Sequence, residues 1–277
     1  MKIKFSKMHG LGNDFIILNN IDLSLELTTE IIQKLSDRKF GIGCDQLLVV
    51  EPASDGQSDF FYRIYNSDGS EAGQCGNGAR CFISFLHLQG LSNKSKVKLQ
   101  TNTRVIDGQI INPSVVEVNM GNPDFKPENI PLNLFEASNY EFKFDNQLIQ
   151  FTAASMGNPH AVIRIATPEI LVDNEYLTKI GSMLQQSPIF PESVNVNFMF
   201  VENEGQLRLC TYERGSGLTL ACGSGACATA AVAVRDGLVR QKVKVIMPGG
   251  ELEINWTDAG LLMTGEAIHV FDGEIEI

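Results

Sequence analysis

The chain has 277 residues, of which 43% are hydrophobic and 20% charged, enough apolar material for two domain cores and too little charge for a disordered chain. Its formal net charge of −11 argues against a nucleic-acid partner, because phosphate binding needs a positive surface; a small anion in a locally positive pocket remains compatible. No stretch approaches the ~18 apolar residues of a membrane span, and Lys2, Lys4 and Lys7 interrupt any signal-peptide apolar region, so no membrane is expected and the expected compartment is the cytoplasm.

In chain order, Phe60–Tyr65 reads as a strand, and Gly76–Leu88 as a helix with Gly90 placed to end it. Strand-like runs follow at Val97–Gln100 and Val115–Asn119. Gly121-Asn122-Pro123, with Pro127 and Pro131 just after, marks a linker. Beyond it come strand-like Gln147–Ala153, Asn195–Val201 and Gln206–Tyr212. Gly223–Val234 reads as a second helix, apolar on nearly every face and so buried; Gly237 stands at its end. Lys242–Val245 and Glu251–Ile254 alternate as half-buried strands do. Two short closing strands, Ala267–Val270 and Glu274–Ile277, are expected to return to the first domain.

The chain repeats itself. Cys75-Gly76-Asn77-Gly78-Ala79 reappears 147 residues later as Cys222-Gly223-Ser224-Gly225-Ala226, and Tyr65-Asn66 reappears at the same offset as Tyr212-Glu213. Gly12-Asn13-Asp14 is echoed at nearly that spacing by Gly157-Asn158-Pro159. A constant offset is what duplication leaves. The expected fold class is α+β, two homologous domains that each curl a mixed sheet, barrel-like, around a central helix. Residues 1–120 with 266–277 form the first domain and residues 121–265 the second.

Six cysteines form no C-x-x-C pair, which argues against zinc and against a thioredoxin-like site. Cys44, Cys81, Cys210 and Cys227 read as small buried hydrophobes. Cys75 and Cys222 differ, because each precedes a helix start bearing two glycines. Such a start carries unpaired N–H groups and partial positive charge, binds anions, and favours thiolate. A thiolate on one side of an amino-acid α-carbon can remove its proton while a thiol on the other side donates one, which inverts the centre. Helix N-termini aimed at the α-carboxylate would stabilise the growing charge. No metal and no cofactor enter this scheme. Gly223-Ser224-Gly225-Ala226-Cys227-Ala228 also fits a dinucleotide pattern, but no acidic residue follows at the end of a second strand. A non-catalytic protein holding an anion on two helix ends is the alternative from another class.

These motifs, with Gly10-Leu11-Gly12-Asn13-Asp14-Phe15, Gly41-Ile42-Gly43-Cys44-Asp45-Gln46, Asn66-Ser67-Asp68-Gly69, Gln74-Cys75, Met156-Gly157-Asn158-Pro159-His160 and Tyr212-Glu213-Arg214-Gly215, resemble the diaminopimelate epimerase family of pyridoxal-phosphate-independent two-cysteine epimerases. The resemblance implies conversion of LL- to meso-diaminopimelate, on the route to lysine and peptidoglycan, by a homodimer without a cofactor. It assigns Cys75 and Cys222 as the acid–base pair, with His160 and Glu213 supporting their protonation states. It makes Gly76, Asn77, Gly223 and Ser224 the donors to the reacting carboxylate. Asn13, Gln46, Asn66, Asn158, Asn195, Glu213 and Arg214 correspond to substrate-binding positions. His9, His87 and His269 receive no role. Residues 124–150 and 166–190 match no motif and are expected on the surface. A proline- or hydroxyproline-type racemase on the same fold is the nearest alternative, though proline has no second head for Arg214 to hold; phenazine-biosynthesis isomerases lack the cysteine pair.

Overall fold

The computed structural model describes residues 2–73, 75–144 and 147–277, Gln147 by its backbone alone; Gln74 of the first cysteine motif lies outside the described residues. The first half runs β1 (Lys2–Gly10), β2 (Asn13–Asn19), α1 (Thr29–Ser36), β3 (Gln46–Glu51), β4 (Phe60–Asn66), α2 (Gly76–Leu88), β5 (Lys96–Gln100), β6 (Val105–Asn112) and β7 (Val115–Asn119). The second runs β8 (Tyr140–Phe144), β9 (Gln147–Ser155), β10 (Pro159–Arg164), α3 (Asn174–Gln185), β11 (Asn195–Asn203), β12 (Gln206–Glu213), β13 (Gly217–Thr219), α4 (Gly223–Arg235), β14 (Lys242–Met247), β15 (Gly250–Thr257), β16 (Gly260–Glu266) and β17 (Ile268–Glu276). Two compact units result: Met1–Asn119 with Thr264–Ile277, and Met120–Met263.

Strand pairing repeats between the units. In the first, β1 lies antiparallel to β2, β2 parallel to β3, β3 antiparallel to β4, β4 parallel to β5, and β5 antiparallel to β6. In the second the same steps run through β9, β10, β11, β12, β14 and β15. Each unit is thus a mixed sheet curled around one helix. In the first, α2 packs on β1, β2, β3, β6, β7 and β17; in the second, α4 packs on β9, β10, β11, β12, β14 and β15. The helices have 13 residues each. Alanine-rich α4 combines high helix propensity with little bulk, so strands can approach it closely. α2 fills its unit with larger groups, Phe82 lying 4.6 Å from the Tyr62 ring centre. Both helices end in the same motif: Gly90 and Gly237 take φ of +66° and +68°, and the next residue, Leu91 or Leu238, donates back to Leu86 or Ala233.

Two expectations are corrected. The C-terminus is one strand, not two: β17 pairs with β1 from Lys2↔Glu276 to His9↔Ile268 through a bulge at Lys7/Met8. It stays continuous because Gly273 lies opposite Phe5, whose ring fills the space a side chain there would take, 2.4 Å from where a Cβ would stand. Residues 124–150 and 166–190 are not merely surface. Ile130, Leu132, Tyr140, Phe142 and Phe144 join Leu177, Ile180 and Leu184 of α3 in one core cluster with Phe151, Phe190, Val196 and Phe198. α3 was legible, since its buried positions Leu177, Ile180, Gly181 and Leu184 keep helical spacing; Asp173 caps it by accepting from the Tyr176 N–H.

Gly181 lets α3 settle on the Tyr212 ring, one residue before Glu213: a Cβ there would meet the ring at 2.5 Å. Gly181→Val is therefore expected to destabilise the fold by about 1–3 kcal/mol, as overpacking does. Urea unfolding checks this, and an unchanged midpoint would contradict the packing described.

Candidate active site

In the first unit the predicted residues gather at one end of the sheet. Leu11 and Gly12, both with positive φ, turn β1 into β2 and set Asn13 at the start of β2. Gln46 begins the parallel neighbour β3, and Asn66 ends β4 directly across from it. Gln46 Nε2 donates to Asn66 Oδ1 at 3.0 Å, and Asn66 Nδ2 donates to Ser70 at 3.0 Å. Gln46 Oε1 is buried with no hydrogen-bond partner, an open acceptor at this end of the sheet.

Cys75 is the N-cap of α2. Its backbone is extended, and its sulfur accepts from the Gly78 N–H at 3.3 Å. The Tyr62 hydroxyl donates to the Cys75 carbonyl at 3.2 Å; burial, with Cys75 and Cys81 nearby, holds this phenol well above its usual range and therefore neutral. Asn13 Oδ1 faces Cys75 Sγ at 3.8 Å and the Asn77 amide at 3.4 Å. Its other end donates to Asp45. Arg38 grips Asp14 and Asp45 together, and Lys7 also donates to Asp14. Burial alone would raise the Asp14 carboxyl, but Arg38 and Lys7 outweigh it and hold it at about 2. Asn77 is held from behind by fully buried Arg80, whose Nη2 donates to Asn77 Oδ1 at 3.0 Å.

The second unit repeats the arrangement with other chemistry. Asn158 follows Gly157 (φ +91°) in the turn before β10, Asn195 begins β11, Glu213 ends β12, and Cys222 caps α4, its sulfur accepting from the Gly225 N–H at 3.4 Å. Ser224 Oγ lies 3.6 Å from Cys222 Sγ. Asn158 Nδ2 donates to Ser224 at 3.3 Å, and Asn158 Oδ1 faces His160 Nε2 at 3.0 Å. The Asn195 amide is spent on backbone: it donates to the Pro159 carbonyl and accepts from the Arg214 N–H. That holds Arg214 beside Glu213, its guanidinium donating to the Glu192 carbonyl.

One electrostatic expectation is overturned. A helix start favours thiolate, yet Cys222 is pushed well above the usual thiol range. Burial is the main cause, and the Glu213 carboxylate, a hydrogen-bond partner of the thiol, acts in the same direction; the Gly225 N–H and Ser224 pull down without prevailing. Cys222 therefore rests as a thiol beside the Glu213 carboxylate. Thr219 Oγ1 donates to the same carboxylate at 2.5 Å. His160, fully buried, is held down at about 3 by desolvation and by the Arg214 charge, hence neutral. Cys81, inside α2, is pushed up to about 12 by burial. Cys44, Cys210 and Cys227 are buried too, in keeping with inert structural thiols.

A cleft of about 1000 Å³ in the second unit, lined by Phe151, Val162, Ile163, Tyr176, Ile180 and Phe198 among others, includes none of these residues. Sequence reasoning missed Asp14, Arg38 and Asp45 as the holders of Asn13, although two of them stand inside the quoted motifs. It also missed Asn197, Thr211 and Thr219. The available signal for Asn197 was an amide two residues from Asn195, hence on the same strand face, where strand-formers are expected.

The family model for diaminopimelate epimerase matches residues 5–126 and 152–270. A diaminopimelate epimerase from Chromobacterium violaceum is 45% identical over 280 residues, covering all of both chains. Among solved structures, a probable proline racemase from Agrobacterium radiobacter superimposes with a TM-score of 0.75 at 14% identity, covering 99% of this chain and 93% of that one. A hydroxyproline epimerase from Agrobacterium vitis gives 0.72 at 16%, over 99% and 92%. A phenazine biosynthesis protein from Bacillus anthracis gives 0.71 at 14%, over the whole of both chains. At such identities these three share the fold alone, whereas the family model spans most of the sequence and the Chromobacterium relative all of it: the chain belongs to the diaminopimelate epimerase family.

Proposed function

We propose that this protein epimerises LL-diaminopimelate to the meso form by a two-base reaction in which Cys75 and Cys222 act on the same α-carbon from opposite sides. The observation that carries this reading is the occurrence of a cysteine as N-cap at both duplicated buried helices. One sulfur, as thiolate, takes the α-proton; the other, as thiol, returns one, and the centre inverts. As the carbanion forms, charge moves onto the α-carboxylate, where the first-turn N–H groups of Gly76-Asn77 and Gly223-Ser224 are the donors. Glu213 accepts the Cys222 proton when that sulfur serves as base, and the Ser224 hydroxyl and Gly225 N–H then solvate the thiolate.

The substrate's far end is a second amino-acid head. Arg214 supplies a charged fork for its carboxylate, and Asn13, Gln46, Asn66, Asn158 and Asn195 set the amides around the substrate, the last by fixing the Arg214 backbone. His160 acts on Cys222 at a distance, through Asn158 and Ser224. The chemistry as proposed draws on no cofactor. No disulfide joins the cysteines among the described residues, which fits a reducing cytoplasm; a homodimer is the assembly family likeness favours.

Cys75→Ala and Cys222→Ala are each expected to lower kcat for diaminopimelate epimerisation by about a thousandfold or more, with the thermal midpoint kept within a few degrees. Full turnover by either variant would sink the two-base scheme. Arg214→Lys is expected to raise KM about 10- to 100-fold, the loss of a charge-assisted fork, while proline remains unreactive with the unaltered enzyme. Measurable proline racemisation would instead favour the racemase reading.

A further inference from the structure

The two units supply a comparison that isolates function from folding. Register equates His160 on β10 with Phe15 on β2, because each opens the parallel pairing with the next strand: His160↔Asn195 and Phe15↔Gln46. Two residues on, Asn197 pairs across to Thr211, where Leu48 pairs across to Ile64. At the 147-residue offset of the helices, Thr229 stands where Phe82 stands. All eight side chains are buried. The same scaffold is thus built once with apolar residues at these four places and once with polar ones. The fold does not require the polar set.

We infer that Asn197 is a positioning residue for the reaction: it fixes the neutral His160 ring with its proton on Nε2, and thereby aims the Asn158 amide and the Ser224 hydroxyl at Cys222. The chain of bonds is anchored at acceptors that cannot change role. Asn197 Nδ2 faces the Ala161 and Asn195 carbonyls, each at 3.4 Å; carbonyls only accept, so the amide nitrogen belongs on that side. Its oxygen then receives the Thr211 hydroxyl at 3.0 Å. The same nitrogen lies 3.1 Å from His160 Nδ1, so Nδ1 must accept and the ring proton sits on Nε2. Burial keeps the ring from taking a second proton. Nε2–H donates to Asn158 Oδ1, which turns Asn158 Nδ2 onto Ser224 Oγ. Ser224 is left to donate to Cys222 Sγ, and the Cys222 thiol in turn meets Glu213. Every bond from Thr211 to Glu213 points the same way, so the sulfur has a donor on one side and a proton acceptor on the other. Among the described residues the first unit is arranged differently: Asn13, the counterpart of Asn158, donates to Asp45 and turns its oxygen to Cys75.

This inference rests on the epimerase reading but is tested separately from it. Nitrogen-15 NMR of the histidine-labelled protein, with His160 assigned through His160→Gln, reads the tautomer without substrate. A neutral ring protonated on Nε2 is expected, and a proton on Nδ1 would overturn the inference whatever the variants do. Asn197→Asp sets a carboxylate against Nδ1 and is expected to place a proton there while lowering kcat tenfold or more. Asn197→Leu, which installs the first unit's residue, is expected to lower kcat similarly with KM changed less and cooperative unfolding retained. An unchanged tautomer in Asn197→Asp, or turnover within twofold of the unaltered enzyme in either folded variant, would equally overturn it. Should the cysteine variants instead remain active while the tautomer is as expected, the epimerase reading fails and the hydrogen-bond chain stands.

Discussion

The buried start of a helix is the constraint on which this structure turns. The first N–H groups of α2 and α4 have no partner within their own helices, and Asn77, Gly78, Gly223 and Gly225 are buried while Gly76 and Ser224 are half-buried. Something must satisfy them at a place where water is scarce. In each unit a cysteine sulfur accepts the third of these N–H groups. Sulfur is a weak acceptor, so the cap is modest and the field at the helix end remains available to an arriving carboxylate. Removal of a side chain at Gly78 and Gly225 is part of the same arrangement: a Cβ would stand 2.3 Å from the Tyr62 hydroxyl or 2.5 Å from Asn197 Oδ1.

Duplication produced two such ends, and divergence made them unequal. The first unit sets near its half-buried cysteine a neutral buried phenol and an ionic cluster of Lys7, Asp14, Arg38 and Asp45 that fixes Asn13. The second uses a run of neutral hydrogen bonds ending at a carboxylate. Burying four polar side chains carries a penalty of about 1–3 kcal/mol for each group left unpaired; Asn197 and His160 avoid it by bonding at both ends. A two-base reaction needs unequal sulfurs, one as thiol and the other as thiolate at any moment, and unlike surroundings are a physical means to that inequality.

Much of this was legible in the residues alone. Repetition at constant offset revealed the two units because duplication preserves spacing even where side chains change. Helices α2 and α4 were read nearly to their ends, since Gly90 and Gly237 terminate them by backbone conformation rather than by context. The rest depended on tertiary burial. Local rules place a thiolate at a helix start; only the enclosure of Cys222 and the nearness of Glu213 reverse that. α3 carries no motif, and its one signal is the helical spacing of Leu177, Ile180, Gly181 and Leu184. Asn197 and Thr211 become a pair only once β11 and β12 are aligned; in the sequence only the repeated amide at Asn195 and Asn197 stands out.

The central claim is that two separate sulfurs handle two separate protons. Epimerisation begun from each isomer of diaminopimelate in deuterium oxide and halted at low conversion tests it most directly. The account predicts deuterium in the newly formed isomer and almost none in the isomer recovered unreacted, in both directions. Deuterium accumulating in the recovered starting isomer as fast as in the product would mean that one exchangeable group serves both faces, and would contradict the account.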